Sequence, residues 1–268
     1  MSARGINDMT VLRTFVLLCL LAPTTFAQDK KLDNLPQLLN STPLGIAAGQ
    51  TTKVVLRGKR LDEVKELQLN GQVTAVKILS KGKTAVPPKQ EVNRAGDSQL
   101  EVELSLPADA KPGECELIAV SESGRGTVFK LLVDAQPVVI EKEPNDGFAQ
   151  AQLVEIGTTI EGTLHQPQNV DVFRFEGRAG EKLVCEVLAA RRGSALDATL
   201  TVFDSRRRMI DTADDLPSDG TTRDDWTLRD ARLEITLPTA GVFFLVLQDA
   251  NDLGGPAHSY RLRVVRAE

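Results

Sequence analysis

The chain has 268 residues, 41% of them hydrophobic, with a formal net charge of −5 and a pI near 5.3. That length holds about two ordinary domains, and the apolar share is enough to fill their cores. The acidic balance argues against nucleic acid as a partner, because such partners demand a basic face.

Residues 1–27 read as a secretory signal. Arg4 and Arg13 supply positive charge, residues 14–21 (TFVLLCLL) form a short apolar run, and Thr25-Phe26-Ala27 is a small-x-small cleavage site that leaves Gln28 first. Met9 is an alternative start. The apolar run is too short for a stable transmembrane span, and no other stretch is long enough. Cys19 lacks the small residues that precede a lipidated cysteine. The expected location is secreted, periplasmic or cell-surface. Cys115 and Cys185 remain, on inward strand positions of different domains. A bridge needs Cα atoms within about 7 Å, so both read as small buried apolar residues.

Residues 28–38 form a polar, mobile leader, and 40–45 a turn into the first domain. Residues 51–57 read as a strand ended by Gly58. Residues 66–69 read as a second strand, turned by Asn70-Gly71, a hairpin signal, with 72–79 returning beside it. Residues 80–98, polar and carrying Pro87-Pro88, read as a loop. Leu100, Val102, Leu104 and Leu106 alternate with Gln99, Glu101, Glu103 and Ser105, the pattern of a half-buried strand. Cys115, Leu117 and Ala119 share a face, and residues 123–126 turn into 127–133. Short strands punctuated by turns predict a sandwich over 39–134. Pro43-Leu44-Gly45, Arg57-Gly58-Lys59-Arg60-Leu61 and Pro112-Gly113-Glu114-Cys115-Glu116-Leu117 resemble the IPT/TIG branch of immunoglobulin-like domains. That resemblance implies a spacer or a binding platform.

Residues 135–140 form a linker stiffened by Pro137, and a second domain covers 141–268. It opens on Glu141-Lys142-Glu143-Pro144-Asn145-Asp146. Pro144 and the residue before it favour extended backbone, in which alternate side chains share a face. Glu141, Glu143 and Asn145 then point one way, as do Asn169 and Asp171. Two carboxylates and an amide oxygen on one side suit a hard cation such as Ca²⁺. A solvated acidic linker is the competing reading, and spacing alone favours it. Further on, Phe173 and Phe175 share a face, as do Leu183, Cys185 and Val187. Leu200 and Val202, Leu233, Ile235 and Leu237, and Tyr260, Leu262 and Val264 alternate with polar residues. Residues 242–247 are apolar on both faces and belong centrally in a sheet. Only 148–154 (FAQAQLV) has a trace of helical periodicity.

Glu-x-Glu-Pro-Asn-Asp followed by Val170-Asp171-x-Phe173-x-Phe175 resembles the start of the bacterial pre-peptidase C-terminal domain, a family that includes the collagen-binding domains of secreted collagenases. Ala179-Gly180-Glu181-Lys182-Leu183, Leu196-Asp197-Ala198-Thr199-Leu200, Ala240-Gly241-Val242-Phe243-Phe244 and Tyr260-Arg261-Leu262-Arg263-Val264 extend the resemblance to the C-terminus. It implies a jelly-roll-like β-sandwich. It also implies a structural Ca²⁺ held by Glu141, Glu143, Asn145, Asp146 and Asp171, with Asn169 standing where calcium-binding members often carry Asp.

Catalytic patterns are missing. There is no G-x-S-x-G elbow, no H-E-x-x-H, no C-x-x-C and no phosphate-cradling glycine loop. His165 and His258 lack partners by sequence and read as surface residues. Residues 211–230 hold Asp214, Asp215, Asp219, Asp224, Asp225 and Asp230. They read either as a second cation loop or as a solvated loop neutralised by Arg223, Arg229 and Arg232; the second is favoured because EF-hand spacing is absent. Trp226 reads as a partner anchor or as a cover for a sheet edge. Arg206-Arg207-Arg208 reads as a hairpin turn, and 249–255 as a polar turn needing glycine freedom.

The expectation is an all-β chain of two sandwiches after a signal peptide, non-enzymatic and calcium-stabilised. It would engage an extracellular protein or polysaccharide at the bacterial envelope. The alternative is an accessory or targeting subunit supplied to a secreted peptidase.

Overall fold

Two-residue alternation sets most of the long strands of this protein, most cleanly over Ser98–Ser105 and Ala198–Asp204. In a computed structural model the described residues are 34–70, 75–134, 138–216 and 226–267. The expected signal segment and most of the leader lie outside them. The first half carries β1 (Gln37–Thr42), β2 (Gly45–Ala47), β3 (Thr51–Lys59), β4 (Glu66–Leu69), β5 (Val76–Lys83), a helical turn α1 (Val92–Ala95), β6 (Ser98–Ser105), β7 (Gly113–Ser121), β8 (Gly124–Arg125) and β9 (Phe129–Asp134). They build two sheets, ordered β1-β3-β6-β5 and β2-β9-β7-β4, with β8 added to β7. Val54, Leu56, Leu100, Val102 and Leu104 fill the space between them with Leu117, Ala119 and Leu131. Cys115 lies in this core.

The second half carries β10 (Val139–Ile140), β11 (Gln152–Leu153), β12 (Thr159–Thr163), β13 (Val170–Gly177), β14 (Lys182–Leu188), β15 (Ala198–Asp204), β16 (Met209–Ala213), β17 (Arg232–Thr236), β18 (Gly241–Asp249) and β19 (Ser259–Arg266). Its sheets run β10-β12-β19-β14-β17 and β11-β13-β18-β15-β16. Strand β18 is central, between β13 and β15, as its two-faced apolar character requires. The inward residues Phe173, Phe175, Leu183, Cys185, Leu200, Leu245, Tyr260 and Leu262 form the second core. Each fully buried large apolar side chain contributes about 1.5–3 kcal/mol. The architecture is all-β, two sandwiches in succession.

Several expectations fail in detail. β4 and β5 do not pair as a hairpin about Asn70: β4 hydrogen-bonds to β7 and β5 to β6, in different sheets. Asn70 has the left-handed backbone that its turn signal promised, with φ 48, but the strand leaving the turn crosses to the opposite layer. Gly71 lies outside the described residues. The stretch expected as one loop from 80 contains the end of β5, to Lys83, and α1. Residues 40–42, expected as turn, belong to β1, and the linker ends in strand, since β10 pairs in parallel with β12. Residues 148–154 form turns and β11 instead of a helix. Phe148 rests on Phe203 and Phe244, edge to face, outside the core.

The two sandwiches also meet directly, through polar side chains that sit on outward strand positions. Ser259 Oγ donates to Asn40 Oδ1 and shares contact with Ser41 O, each at 3.0 Å, and Asn40 Nδ2 donates to Ala257 O at 2.7 Å. Arg261, only 5% exposed, is held by Asp134 from the first sandwich and Glu161 from the second. Glu161 also accepts from the Leu44 amide. Burial pushes the Glu161 carboxyl up to about 7, and Arg261 opposes that shift. Gly45 is required here, because a side chain at that position would strike the Arg261 guanidinium. Among the described residues no helix is long and apolar enough to cross a membrane.

Candidate functional site

Asp171, Phe173 and Phe175 occupy alternate positions of β13 and face inward together. The same alternation that buries two phenylalanines therefore buries a carboxylate, which is 0% exposed. Opposite it, β19 turns Tyr260 inward ahead of Leu262 and Val264, and the Tyr260 hydroxyl reaches Asp171 Oδ2. The segment 141–146 folds across this rim. Oxygens of Glu141, Glu143 and Asp171 come within 4.8 Å of one another.

Each member has defined partners. Glu141 Oε2 accepts from the Thr163 amide at 2.8 Å, and its Oε1 accepts from Asn145 Nδ2 at 3.3 Å. Glu143 Oε2 accepts from the Asn145 amide at 3.1 Å, and its Oε1 lies 3.0 Å from His165 Nδ1. Asn169 donates through Nδ2 both to Asp171 Oδ1, at 3.0 Å, and to Asp146 Oδ1, at 3.2 Å. Asn169 thus links two carboxylates where a third would have repelled them. Gly162 makes the arrangement compact: a Cβ there would collide with the Tyr260 ring and with Glu141 Oε2.

The electrostatics are unfavourable as they stand. Burial first, then the charge of Glu141, pushes the Asp171 carboxyl up to about 9. Burial also raises Glu141, and Tyr260 is raised by burial and by the adjacent Asp171. Like carboxylates sharing one buried site cannot all ionise without a compensating charge. Asn145 is 0% exposed and its side-chain carbonyl oxygen meets no donor among the described residues. A buried carbonyl without a partner costs roughly 1–3 kcal/mol. Three carboxylates and an orphaned amide oxygen are the donor chemistry of a hard cation, all oxygen and negatively charged.

Of the six residues expected at this site, Glu141, Glu143, Asn145 and Asp171 converge. Asn169 and Asp146 stand behind them, Asp146 exposed and tied through Asn169. Sequence reasoning placed Tyr260 inward but did not connect it to Asp171, and it gave no role to Gly162 or Thr163. The close Gly-Thr pair on a strand opposite the acidic segment was the available signal for both.

A second acidic group joins Asp197, Asp214 and Asp215. Arg229 pairs with Asp197 inside it, which supplies the positive charge from the chain itself. Arg232 instead pairs with Glu234 at 2.6 Å, and Arg223, Asp219, Asp224 and Asp225 lie outside the described residues. Trp226 is half-buried, donates from Nε1 to Ser194 O at 3.1 Å and meets Arg94 of the first sandwich at 3.5 Å. Arg206, Arg207 and Arg208 form the expected turn between β15 and β16, with Asp204 accepting from the Arg206 and Arg208 amides. Asp249 does more than the expected glycine turn needs: it is buried and accepts from the amides of Asn251, Leu253 and Asp197. His258, expected at the surface, is fully buried at the junction, its ring 3.0 Å from Gln90 Nε2. Burial lowers its pKa. His165 is exposed as expected.

No family model matches the chain. Among curated proteins it is 30% identical over 132 residues to a probable subtilase-type serine protease of Deinococcus radiodurans, covering 48% of this chain and 17% of that protein. The chain therefore spans about one sixth of that relative's length. Among solved structures it is similar to the pre-peptidase C-terminal domain of collagenase from Bacillus anthracis, at 14% identity and a TM-score of 0.32, over 49% of this chain and 99% of that one. It is also similar to SGBP-B of the Bacteroides ovatus mixed-linkage glucan utilization locus, at 7% identity and a TM-score of 0.27, over 80% of this chain and 74% of that one. In its motifs, from Glu141 to the strand that holds Tyr260, the C-terminal half of the chain resembles the pre-peptidase C-terminal domain.

Proposed function

We propose that this protein is an extracytoplasmic, non-enzymatic binding or accessory module of the bacterial envelope, stabilised by Ca²⁺ and engaging a protein or a polysaccharide. The observation that carries the calcium reading is Asn145: a buried carbonyl oxygen without a donor among the described residues, beside three converging carboxylates. Glu141, Glu143, Asn145 and Asp171 would hold the ion, while Asn169 orients Asp171 and restrains Asp146. When bound, Ca²⁺ supplies positive charge beside Asp171 and Glu141, where no described lysine or arginine makes an ion pair. Glu141 and Glu143 belong to the tether and Asp171 to the sandwich, so the ion would fasten one to the other. Support for the non-enzymatic reading is that His258 is shut in the junction and that the sequence carries no nucleophile elbow, zinc-protease or phosphate-loop motif.

The second reading is an accessory or targeting subunit for a secreted peptidase. Its support is the similarity to a stretch of a probable subtilase-type serine protease.

Capture on the immobilised chain, from envelope and secreted fractions, tests both. A polysaccharide or structural protein retained in Ca²⁺ and released by chelator supports the first. Retention of a peptidase as the major species supports the second. Absence of any retained species, or hydrolysis of the captured material by the chain itself, overturns both.

A further inference from the structure

The junction between the sandwiches holds a cleft of about 430 Å³ that the acidic site does not use, lined by Lys89, Gln90, Glu91, Arg94, Trp226 and Asn251 among others. Volumes of this size are ordinary for small-ligand pockets. Arg94 is its central feature. The side chain rises from α1, and its guanidinium carbon lies 3.5 Å from the centre of the Trp226 ring. Trp226 is itself fixed by its bond to Ser194 O. A guanidinium stacked in this way keeps one plane and one position.

The Arg94 backbone amide donates to Glu91 O at 3.0 Å, but its guanidinium makes no hydrogen bond or ion pair with any described residue. Arg229 also lies against the Trp226 ring, at 4.6 Å, but spends its charge on Asp197. Arg94 is half-buried, and both burial and the Arg229 charge disfavour its protonated form, with Glu91 and Asp197 opposing. Five N–H donors in a fixed fork, half-desolvated and unmatched among the described residues, call for an acceptor that brings negative charge.

The walls narrow the choice. Among the described lining residues, Lys89 and Arg94 against Glu91 leave a surplus of one positive charge, which fits a monoanion and disfavours a phosphate or sulfate cluster. A carboxylate matches the planar fork of arginine in two parallel bonds. Asn251 gives Nδ2 to Asp197 at 3.0 Å, leaving its amide oxygen as an acceptor for a hydroxyl. The Trp226 ring already carries two guanidinium groups, so recognition here rests on charge rather than on stacking of a neutral sugar.

We propose that this cleft binds a uronic-acid unit of an acidic polysaccharide, Arg94 clamping the carboxylate, Lys89 adding charge and Asn251 accepting from a ring hydroxyl. The proposal deepens the binding-module reading and rests on it. It assigns the binding surface to the junction, where both sandwiches contribute: Lys89, Glu91 and Arg94 from the first, Trp226 and Asn251 from the second.

Calorimetric titration of the full chain tests it, with galacturonate and glucuronate trisaccharides, their carboxyl-reduced neutral counterparts, and a tripeptide with a free C-terminal carboxylate. One of the acidic trisaccharides binds, its neutral counterpart binds about tenfold more weakly or not at all, and Arg94→Ala costs about tenfold in affinity. Arg94→Lys, which keeps the charge and loses the fork, recovers only part. Lys89→Ala, away from the Trp226 stack, gives a smaller loss without touching the packing of α1. Equal binding of acid and neutral sugars, indifference to Arg94→Ala, preference for the tripeptide, or no binding of either acidic trisaccharide overturns the proposal. Envelope polysaccharide still retained by Arg94→Ala would overturn the cleft and leave the binding-module reading standing. Failure of the unaltered chain to retain any envelope component would overturn both.

Discussion

The Tyr260 hydroxyl donates a 2.5 Å hydrogen bond to Asp171 Oδ2 at a point where neither side chain reaches solvent. The bond joins β19 in one sheet of the second sandwich to β13 in the other, at the rim where the acidic tether arrives. Tyr260 and Asn169 are both neutral donors to Asp171, and neither cancels the charge of Glu141 beside it. The site is therefore assembled in geometry and unbalanced in charge.

That imbalance gives a signed pH dependence. Asp171 has its folded pKa raised to about 9 from an ordinary 3.8. The folded chain holds a proton that the unfolded chain releases, so the stabilisation is complete below the unfolded value and drains away as pH rises toward the folded one. In chelator, the melting temperature of the unaltered chain should fall more between about pH 5 and about pH 8 than that of Asp171→Asn, which cannot ionise. Parallel melts of the two proteins check this; identical slopes contradict it.

Gly162 is where the site has no slack. Gly162→Ala pushes a methyl into the Tyr260 ring and Glu141 Oε2, and overpacking of this kind costs about 1–3 kcal/mol. Chemical denaturation should show that loss, and any Ca²⁺-dependent stabilisation should shrink with it. Gly147→Ala, in the same tether with open space around its Cα, is the control and should be near neutral.

Arg261 locks the two sandwiches together. Arg261→Met strands Glu161 in the junction without its cation, and breaking a buried pair by one partner costs roughly 3–5 kcal/mol. Adding Glu161→Gln should recover a large part, because the isolated charge is what destabilises. Denaturant midpoints of the single and double variants measure the difference, and an additive double variant contradicts the pairing.

Cys115 and Cys185 sit in separate cores, with their thiols pushed by burial up to about 11 and about 12. Thiolate is the reactive form. Both should resist a thiol reagent in the folded protein and react once it is denatured, with mass spectrometry locating the label.

Much of this was legible from alternation alone. The period of two in 260–264 grouped Tyr260 with Leu262 and Val264, the extended Glu141, Glu143, Asn145 series put three oxygens on one side, and Asp171 was grouped with Asn169 but not with the inward Phe173 and Phe175. Alternation names a face but not a partner strand, which is why 66–79 read as a hairpin while β4 and β5 lie in different sheets. It also cannot tell a solvated outward face from one covered by another domain. Ser259 and Arg261 have the spacing of surface residues, and His258 precedes them in a glycine-rich turn. All three are buried because the first sandwich lies over them. The polar junction, and the cleft with Arg94 within it, arise from contacts between residues far apart in sequence that no local pattern carries.

The most direct test of the account is calorimetric titration of Ca²⁺ into the purified chain beside Asp171→Asn. The account predicts saturable heat at one site, a raised melting temperature that chelation reverses, and loss of both in the variant. No heat from the unaltered chain and no change in its melting temperature on chelation would contradict it.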